Sequence, residues 1–495
     1  MAMVVKNNMS AIHTLNTLNN NSTALSKSLA KVSSGMKINT AQDDASGYAI
    51  SERMRVQIRS LDQSNQNTQN DLSMMKTAEG AVSSTVEILK ALKEKAINAA
   101  NDSNTDSDRQ TIQKEMDQFI DQIDDNALTT FNGKYLVDGS KNYRSENGTK
   151  TAFTNMALNS TTKAASTLTS LKARNGDSLE IQVTDRVTAS VVINGTTYTT
   201  TFHVGEQTSQ TNESIGSGDY TGESRTLNDI FVRLNQVVNE ATGKQIFGSA
   251  NFVDNTPHNA KVTALGPGTE PNDTEKTLDG VLVHAGAMIG KNAAGDAVRT
   301  SDGTTGFTVT ANSVGYGANA GQIAGVTISI TDSQGNVKKA ANAALDAFNL
   351  SIREMNVSED NSLNFHVGAN ANQAIKVGLS DMRSEALGLK GSTGTKLKVT
   401  TKELANAAVN VIDNALTKAI DEQTNIGSVE ARLEYTSSNL TTSSENVQNA
   451  ESTIRDADMA KEMTNYTKNN VLLQAAQSML AQANQNSSAV LSLLQ

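Results

Sequence analysis

Apolar residues separated by alternating steps of three and four run along both ends of the chain and stop in its middle. A spacing that averages 3.5 residues keeps one face of an α-helix apolar over its whole length, and other helices must cover that face. The first seam is Leu15, Leu18, Ser22, Leu25, Leu29 and Val32, ending at Ser33-Ser34-Gly35, where serine and glycine favour a break. The second is Met54, Ile58, Leu61, Asn65, Thr68, Leu72, Met75, Glu79, Val82, Val86 and Leu89. As helix, residues 50–100 would span ~75 Å. Asp106 and Asp108 open a third helix, with Ile112, Met116, Phe119, Ile120 and Ile123 on one face, that is expected to end at Phe131-Asn132-Gly133. Near the other terminus, Ile426, Val429, Leu433, Thr436, Leu440, Ser443, Val447, Ala450 and Ile454 form a matching seam. The phase shifts near Met459, so a separate final helix carries Met463, Tyr466, Leu473, Met479, Leu480, Val490, Leu491, Leu493 and Leu494.

Asn65, Thr68, Glu79, Thr436 and Ser443 stand at seam positions where an isolated two-stranded coiled coil needs Leu or Ile. Helices of this kind are marginal alone and gain order when neighbours surround them.

The middle follows other rules. From about residue 143 to 360 the chain is rich in Thr, Ser, Asn and Gly. Leu179 to Val183 alternates like a strand, and Val191 to Tyr198 reads as a hairpin around Asn194-Gly195, a pair suited to a type I′ turn. Further strands are expected at Phe307 to Thr310 and Val326 to Ile330, and helices at Leu227 to Glu240 and Ala340 to Met355. Pro257, Pro267 and Pro271 are the only prolines, which predicts a loop or subdomain junction there. The expected fold class is therefore mainly α at both termini, as long paired coiled-coil-like helices, with a β-rich α+β central insertion.

Composition removes several functions. A prior of ~150 residues per domain divides 495 residues into roughly three domains. The chain lacks cysteine, which excludes disulfides, thiolate metal sites and a Cys nucleophile. Aromatics are only 4%, which argues against a large aromatic core. A net charge of −10 argues against a nucleic-acid partner, and no apolar run reaches the ~18 residues of a membrane span. Met1 to Ser10 holds one Lys and no apolar core, so no cleaved secretory signal peptide is expected.

No catalytic, cofactor or metal site emerges. His13, His203, His258, His284 and His366 are isolated from one another, and no H-E-x-x-H occurs. Asp102, Asn104 and Asp106 imitate the start of an EF-hand loop, but Ser107 and Gln113 stand where it needs Gly and Glu. Gly286 to Lys291 is one residue short of a P-loop. Asp43-Asp44 reads as turn and cap chemistry between helices. Met74-Met75 and Met459/Met463 read as interface filler. Asn147-Gly148-Thr149 and Asn194-Gly195-Thr196 fit the N-glycosylation pattern but read as turns.

Both ends carry ordered short motifs. One set is Leu25 to Val32, Ser33-Ser34-Gly35-Met36-Lys37-Ile38-Asn39, Asp43-Asp44-Ala45-Ser46-Gly47, Gln57-Ile58-Arg59, Gln63, Thr77-Ala78-Glu79-Gly80, Asn98-Ala99-Ala100-Asn101 and Thr130-Phe131-Asn132-Gly133. The other is Val367-Gly368-Ala369-Asn370, Asp381-Met382, Ala386-Leu387-Gly388-Leu389, Asn425-Ile426-Gly427, Arg455-Asp456-Ala457-Asp458-Met459-Ala460, Gln477 to Asn484 and Val490 to Leu494. With these the terminal regions, about residues 1–140 and 362–495, closely resemble bacterial flagellin.

The resemblance implies a non-enzymatic, cofactor-free subunit that polymerises with itself into an extracellular flagellar filament for swimming motility. It divides the chain into inner-tube terminal helices (1–44 plus 456–495), a helical rod with a β-hairpin (45–142 plus 361–455) and an outward-facing variable insertion of one or two subdomains (143–360). It implies partners in the flagellar export apparatus, an export chaperone, the filament cap and hook-associated proteins, with no membrane insertion. A hook–filament junction protein of the same family is the alternative. Self-assembly is expected to use Leu15, Leu18, Leu25, Leu29, Val32, Leu473, Met479, Leu480, Leu491 and Leu494. The rod seam is expected to use Ile58, Leu61, Leu72, Met75, Val82, Leu89, Leu433, Leu440, Val447 and Ile454. Many flagellins present an Arg, a Leu and a Glu to a vertebrate innate immune receptor; alignment on Asn98-Ala99-Ala100-Asn101 places Ala91, Lys95 and Glu115 there, which implies weak recognition.

Overall fold

The computed structural model describes residues 8–145, 148–159, 162, 164, 166–205, 225–243, 246–247, 252–253, 288–291, 297–299, 307–315 and 323–493. In chain order its elements are α1 (Met9–Ser34), α2 (Ala45–Ala99), α3 (Asp106–Ala127), β1 (Thr130–Phe131), β2 (Lys134–Tyr135), β3 (Lys150–Asn155), β4 (Arg186–Ile193), β5 (Thr196–His203), α4 (Leu227–Thr242), β6 (Phe252–Val253), β7 (Met288–Lys291) and β8 (Ala297–Arg299). They continue as β9 (Phe307–Val314), β10 (Ile323–Thr331), α5 (Lys339–Leu345), β11 (Phe348–Ile352), β12 (Leu363–His366), β13 (Ala374–Val377), α6 (Lys402–Arg455) and α7 (Met459–Leu493). The chain divides into two compact units. One holds Met1–Asp71, Phe365–Ile375 and Arg432–Gln495; the other holds Leu72–Asn364 and Lys376–Ala431.

The 3.5-residue spacing delivers the long helices it predicts. α1 stops where Gly35 takes the left-handed conformation (φ 72°) and its N–H donates to the Lys31 carbonyl at 2.9 Å, an αL cap that glycine adopts without steric penalty. α3 begins with a capping box. Thr105 Oγ1 accepts from the Asp108 N–H, and the Asp108 carboxylate accepts from the Thr105 N–H. The helix ends at Ala127, earlier than Phe131-Asn132-Gly133 suggested. Those three residues belong to the β1–β2 hairpin, with Asn132 and Gly133 both at positive φ, so the Asn-Gly signal marked a hairpin turn and not a helix terminus.

In the first unit, α1 pairs with α7. The first half of α2 lies antiparallel to the second half of α6, tied by Asp62 to Ser444 (2.8 Å), Asn65 to Ser437 (2.6 Å) and Asn65 to Thr441 (3.2 Å). Of the polar seam residues, Asn65 is thus hydrogen-bonded across the pair, and Thr436 donates to the Arg432 carbonyl on its own helix. Thr68 is buried and donates to the Ser64 carbonyl (2.8 Å). Polar seam groups of this kind fix register at some expense in stability.

In the second unit, Met75, Val82 and Leu89 of α2, Met116, Ile120 and Ile123 of α3, and Val411, Ile412 and Ala415 of α6 are all buried. The segment from Ser384 to Val399 straps α3. Ser384 N–H and Lys390 Nζ bond Asp124, Lys396 Nζ bonds Asp121 at 2.6 Å, and the Gln113 amide bridges Leu397 and Val399. The hydrogen bond to Asp124 raises the pKa of the Lys390 ammonium.

The insertion in this unit carries two principal antiparallel sheets, ordered β10-β4-β5 and β11-β3-β9-β6. Leu227, Ile230, Phe231, Leu234 and Val238 of α4 enter its core. The hairpin predicted at Asn194-Gly195 is β4–β5, with φ of 48° and 72° at the turn. A Cβ on Gly195 would run into the Thr395 carbonyl oxygen, and one on Gly391 into the Asn194 carbonyl oxygen. This turn therefore abuts the 391–395 loop at glycine-only range.

Three sequence expectations are corrected. Leu179 to Val183 is not a strand: Leu179 and Ile181 are buried, but Glu180 takes a positive φ and the run joins no sheet. Its alternation reflects burial without a ladder. Ala340 to Met355 is helical only to Leu345 and then forms β11, where Phe348 and Ile352 are buried and the residues between them are not. The low aromatic content also misled, because phenylalanines are concentrated in the insertion. Phe231 packs edge-on against Phe247 (5.4 Å) and Phe348 (6.0 Å), with Phe307 beside them. The three prolines lie outside the described residues.

Candidate self-assembly surface

The first unit gathers both chain ends around Arg455, the last residue of α6. Its Nη1 donates to Ser51 Oγ (3.0 Å) and Glu52 Oε1 (2.6 Å), its Nε donates to Met36 Sδ (3.2 Å), and the guanidinium lies over the Tyr48 ring at 5.6 Å. The backbone closes the same joint. Lys37 N–H donates to the Arg455 carbonyl (2.7 Å) and Ala457 N–H to the Gly35 carbonyl (2.9 Å). Arg455 is buried, and its hydrogen bond holds the Glu52 carboxyl below its ordinary pKa. Just beyond, the Asp43 carboxylate accepts from the Thr40 and Asn39 N–H groups, chiefly the former, which lowers its pKa, and Asp44 accepts from Gly47. The Asp pair is turn and cap chemistry, as read from the sequence.

From this joint α1 and α7 run antiparallel. Asn469 Nδ2 bonds Ser28 Oγ (3.3 Å), Asn21 Nδ2 bonds the Leu472 carbonyl (3.3 Å), and Asn8 Nδ2 bonds the Ala483 carbonyl (3.1 Å). Asn8 also caps α1, its Oδ1 accepting from Ala11 N–H at 3.0 Å. The shared face is small and polar. Ser28, Ala476 and Ala483 are the buried residues of the two helices among those described.

Many of the large apolar side chains stay in the open. Leu15, Leu29 (51% exposed), Met9 and Ile12 on α1 are exposed, as are Met459, Met463, Val471, Leu472 and Met479 (63% exposed) on α7. Val471, Leu472 and Leu473 are consecutive, so they spread over about 200° of the helix circumference. A helix that is apolar around so much of its surface belongs inside a larger assembly.

Of the expected assembly residues, Leu15, Leu29 and Met479 are exposed, and Leu18, Leu25, Val32, Leu473 and Leu480 are half-buried. Leu491 lies on α7, and Leu494 lies outside the described residues. Of the expected rod residues, Leu61, Met75, Val82, Leu89, Leu433 and Leu440 are buried, and Ile58, Leu72, Val447 and Ile454 are half-buried. Ala91 is half-buried, and Lys95 Nζ pairs with Glu115 Oε1 at 2.9 Å. Sequence reasoning missed the Arg455 joint, because its partners are separated by about four hundred residues, the Arg455–Ser51 bond spanning 404 positions. It also missed Ile12, Val471 and Leu472, although the Val-Leu-Leu run was a visible signal.

Among the described residues, no group of three or more His, Asp or Glu side chains is placed to hold a metal ion, and no helix is long and apolar enough to cross a membrane. The bacterial flagellin N-terminal helical region matches residues 5–142, and the flagellin C-terminal helical region matches residues 409–494. A flagellin from Clostridium tyrobutyricum is 31% identical over 98% of this chain and 99% of its own length. The chain belongs to the flagellin family. The B-type flagellin of Pseudomonas aeruginosa is also 31% identical and is matched over the whole of both chains. A solved flagellar hook associated protein-3 from Legionella pneumophila covers 81% of this chain and 97% of its own at 15% identity, with a TM-score of 0.29, an overlap too slight to carry an argument.

Proposed function

We propose that this flagellin is the structural subunit of a flagellar filament and that its terminal helices fold fully only as copies of the chain cover them. The observation that carries this is the α1–α7 pair, which leaves Leu15, Leu29, Val471, Leu472 and Met479 exposed and, among the described residues, fully buries only Ser28, Ala476 and Ala483. Ordering a residue costs about 1–2 kcal/mol of backbone entropy. Burying each leucine against a neighbour returns roughly 1.5–3 kcal/mol. The balance favours order only where neighbours exist, which is folding coupled to assembly. A head-to-tail contact of this kind does not close, so it propagates as a helical polymer.

On this reading residues 1–44 and 456–495 form the inner tube, 45–142 and 361–455 form the rod, and 143–360 project outward. The subunit is exported through the flagellar export apparatus with a chaperone, and is added to the filament outside the cell beneath a cap. It abuts hook-associated proteins, drives swimming as a mechanical element and performs no catalysis. Immune recognition is weak, because Ala91 offers no charge and Lys95 is engaged by Glu115; full-strength activation in a receptor reporter assay would contradict this.

Seeded polymerisation tests the proposal. The full chain is expected to grow long filaments that sediment, and a chain trimmed to residues 35–458, between α1 and α7, is expected to grow none. Normal filaments from the trimmed chain would overturn the reading. Failure of the full chain to extend would favour a junction protein instead.

A further inference from the structure

Five methionines are exposed among the described residues, and four of them stand on the two terminal helices: Met9 on α1, and Met459, Met463 and Met479 on α7, between 42% and 63% exposed. The fifth, Met156, lies in the insertion. Met75, Met116 and Met382 are fully buried. Met459 and Met463 are four residues apart and share one face of α7. The thioether is an excellent filler for an irregular apolar contact, and in a free copy it is also the most readily oxidised apolar group.

We infer that Met9, Met459, Met463 and Met479 form a peroxide-sensitive modification site that gates subunit addition. This rests on the reading that neighbouring copies cover α1 and α7. One oxygen atom passes from a peroxide to Sδ: the O–O bond breaks, the sulfur loses two electrons, the peroxide oxygen is reduced, and the displaced oxygen leaves as water. The product sulfoxide is a strongly dipolar acceptor that must stay hydrated or find a donor. On a face to be buried against a neighbour it finds neither, so the oxidised copy is refused. Once a copy is incorporated the same sulfurs are covered and protected. The vulnerable state is the free subunit, and methionine sulfoxide reductases can reverse the lesion.

The full-length protein is treated with hydrogen peroxide as free subunits and as filaments, quenched, and mapped by peptide mass spectrometry. In free subunits the four sulfurs are expected to oxidise ahead of Met75, Met116 and Met382, with Met156 as an exposed reference outside the terminal helices. The critical concentration for seeded growth is expected to rise at least about tenfold, and reductase treatment to restore it. In filaments the four sites are expected to oxidise about tenfold more slowly than in free subunits, a protection of the kind that burial confers, while Met156 keeps its rate. A variant carrying M9L, M459L, M463L and M479L, a volume-conserving change, is expected to grow equally well before and after peroxide.

The inference falls if subunits oxidised at all four positions polymerise normally, if the variant loses growth as wild type does, or if free and assembled copies oxidise at these sites at equal rates. The rate comparison uses only wild type, so it decides even where the variant fails to assemble. Failure of untreated wild type to polymerise sinks the proposed function itself, a distinct outcome.

Discussion

The insertion and the terminal helix pair are built to opposite plans. The insertion closes on itself: six phenylalanines and the inward faces of two sheets bury one another, and α4 seals them with Leu227, Ile230 and Leu234. α1 and α7 are 26 and 35 residues long, yet among the described residues they bury only Ser28, Ala476 and Ala483. One region has satisfied its apolar side chains before it meets anything, and the other holds them in reserve. Stability of the single copy and competence to assemble should therefore be separable by mutation.

The sharpest separation pairs two substitutions. Phe231→Ala removes the ring at the centre of the aromatic cluster and is expected to destabilise the insertion by about 3–5 kcal/mol, read as a lowered thermal transition in the free subunit. Leu29→Asp should do the reverse. The free subunit's melting should move by no more than about 0.5 kcal/mol, as for a surface change. Its critical concentration should rise roughly a hundredfold, the equivalent of about 2–3 kcal/mol of lost leucine burial. If Leu29→Asp polymerised like wild type, or unfolded the free subunit, the division between the two plans would collapse.

A finer contrast lies between the two Asn-Gly turns. A Cβ on Gly133 meets nothing within 4 Å, whereas one on Gly195 meets the 391–395 loop, and both residues have φ above 70°. Gly133→Ala should cost about 1 kcal/mol, for the left-handed backbone alone. Gly195→Ala should cost roughly 1–2 kcal/mol more, as for overpacking, and chemical denaturation of the two variants measures the difference. Equal effects would mean that the β4–β5 turn does not bear on that loop.

The smallest effect is a pH dependence to which Asp346 in the insertion contributes, alongside Asp71 on α2, also raised to about 6 by burial. Asp346 accepts from Ile328 N–H and Asn410 Nδ2, but burial raises its pKa to about 6. The folded state then holds a proton that the unfolded state releases near 3.8. This contribution is complete below the unfolded value and lost as pH rises through the folded one, so stability should increase by about 1 kcal/mol between pH 7 and pH 5. Asp346→Asn should remove that part of the slope in melts at the two pH values. Glu422, also raised by burial, acts with the same sign in both proteins and cancels in the comparison.

Much of this was readable in the residues, for a physical reason. Met54 to Leu89 and Ile426 to Ile454 keep one period over long stretches, and a long period survives local noise. Asn194-Gly195 announced its turn because few residue pairs accept two positive φ angles. Ala340 to Met355 misled because short helices and short strands share residue types, and its identity was decided by pairing with β3, which local pattern does not contain. Leu179 to Val183 failed for a related reason, since burial alternated without a partner strand. The leucines of the terminal helices were visible as a stripe, but which of them a single copy covers depends on α7 meeting α1 through Ser28, Ala476 and Ala483. No spacing rule singles those residues out. Arg455 could be seen only as part of a motif, because its partners come together through the antiparallel return of the chain.

The insertion leaves and rejoins the helical part of its unit through a narrow neck. Ser145 and Ser358 exchange both backbone hydrogen bonds at 2.9 Å, Thr149 and Met355 do the same at 3.0 and 3.2 Å, and Asn361 N–H reaches the Asn142 carbonyl at 3.2 Å. Two adjacent antiparallel strands lie about 5 Å apart whatever hangs beyond them. The excursion between them can therefore change freely only where it stays clear of α6, because Asn410 and Asn414 of α6 bond Thr327, Asp346 and the Ala324 carbonyl and the β4–β5 turn abuts the 391–395 loop. The neck fixes where the excursion begins and ends, and those contacts fix which part of it must keep its shape.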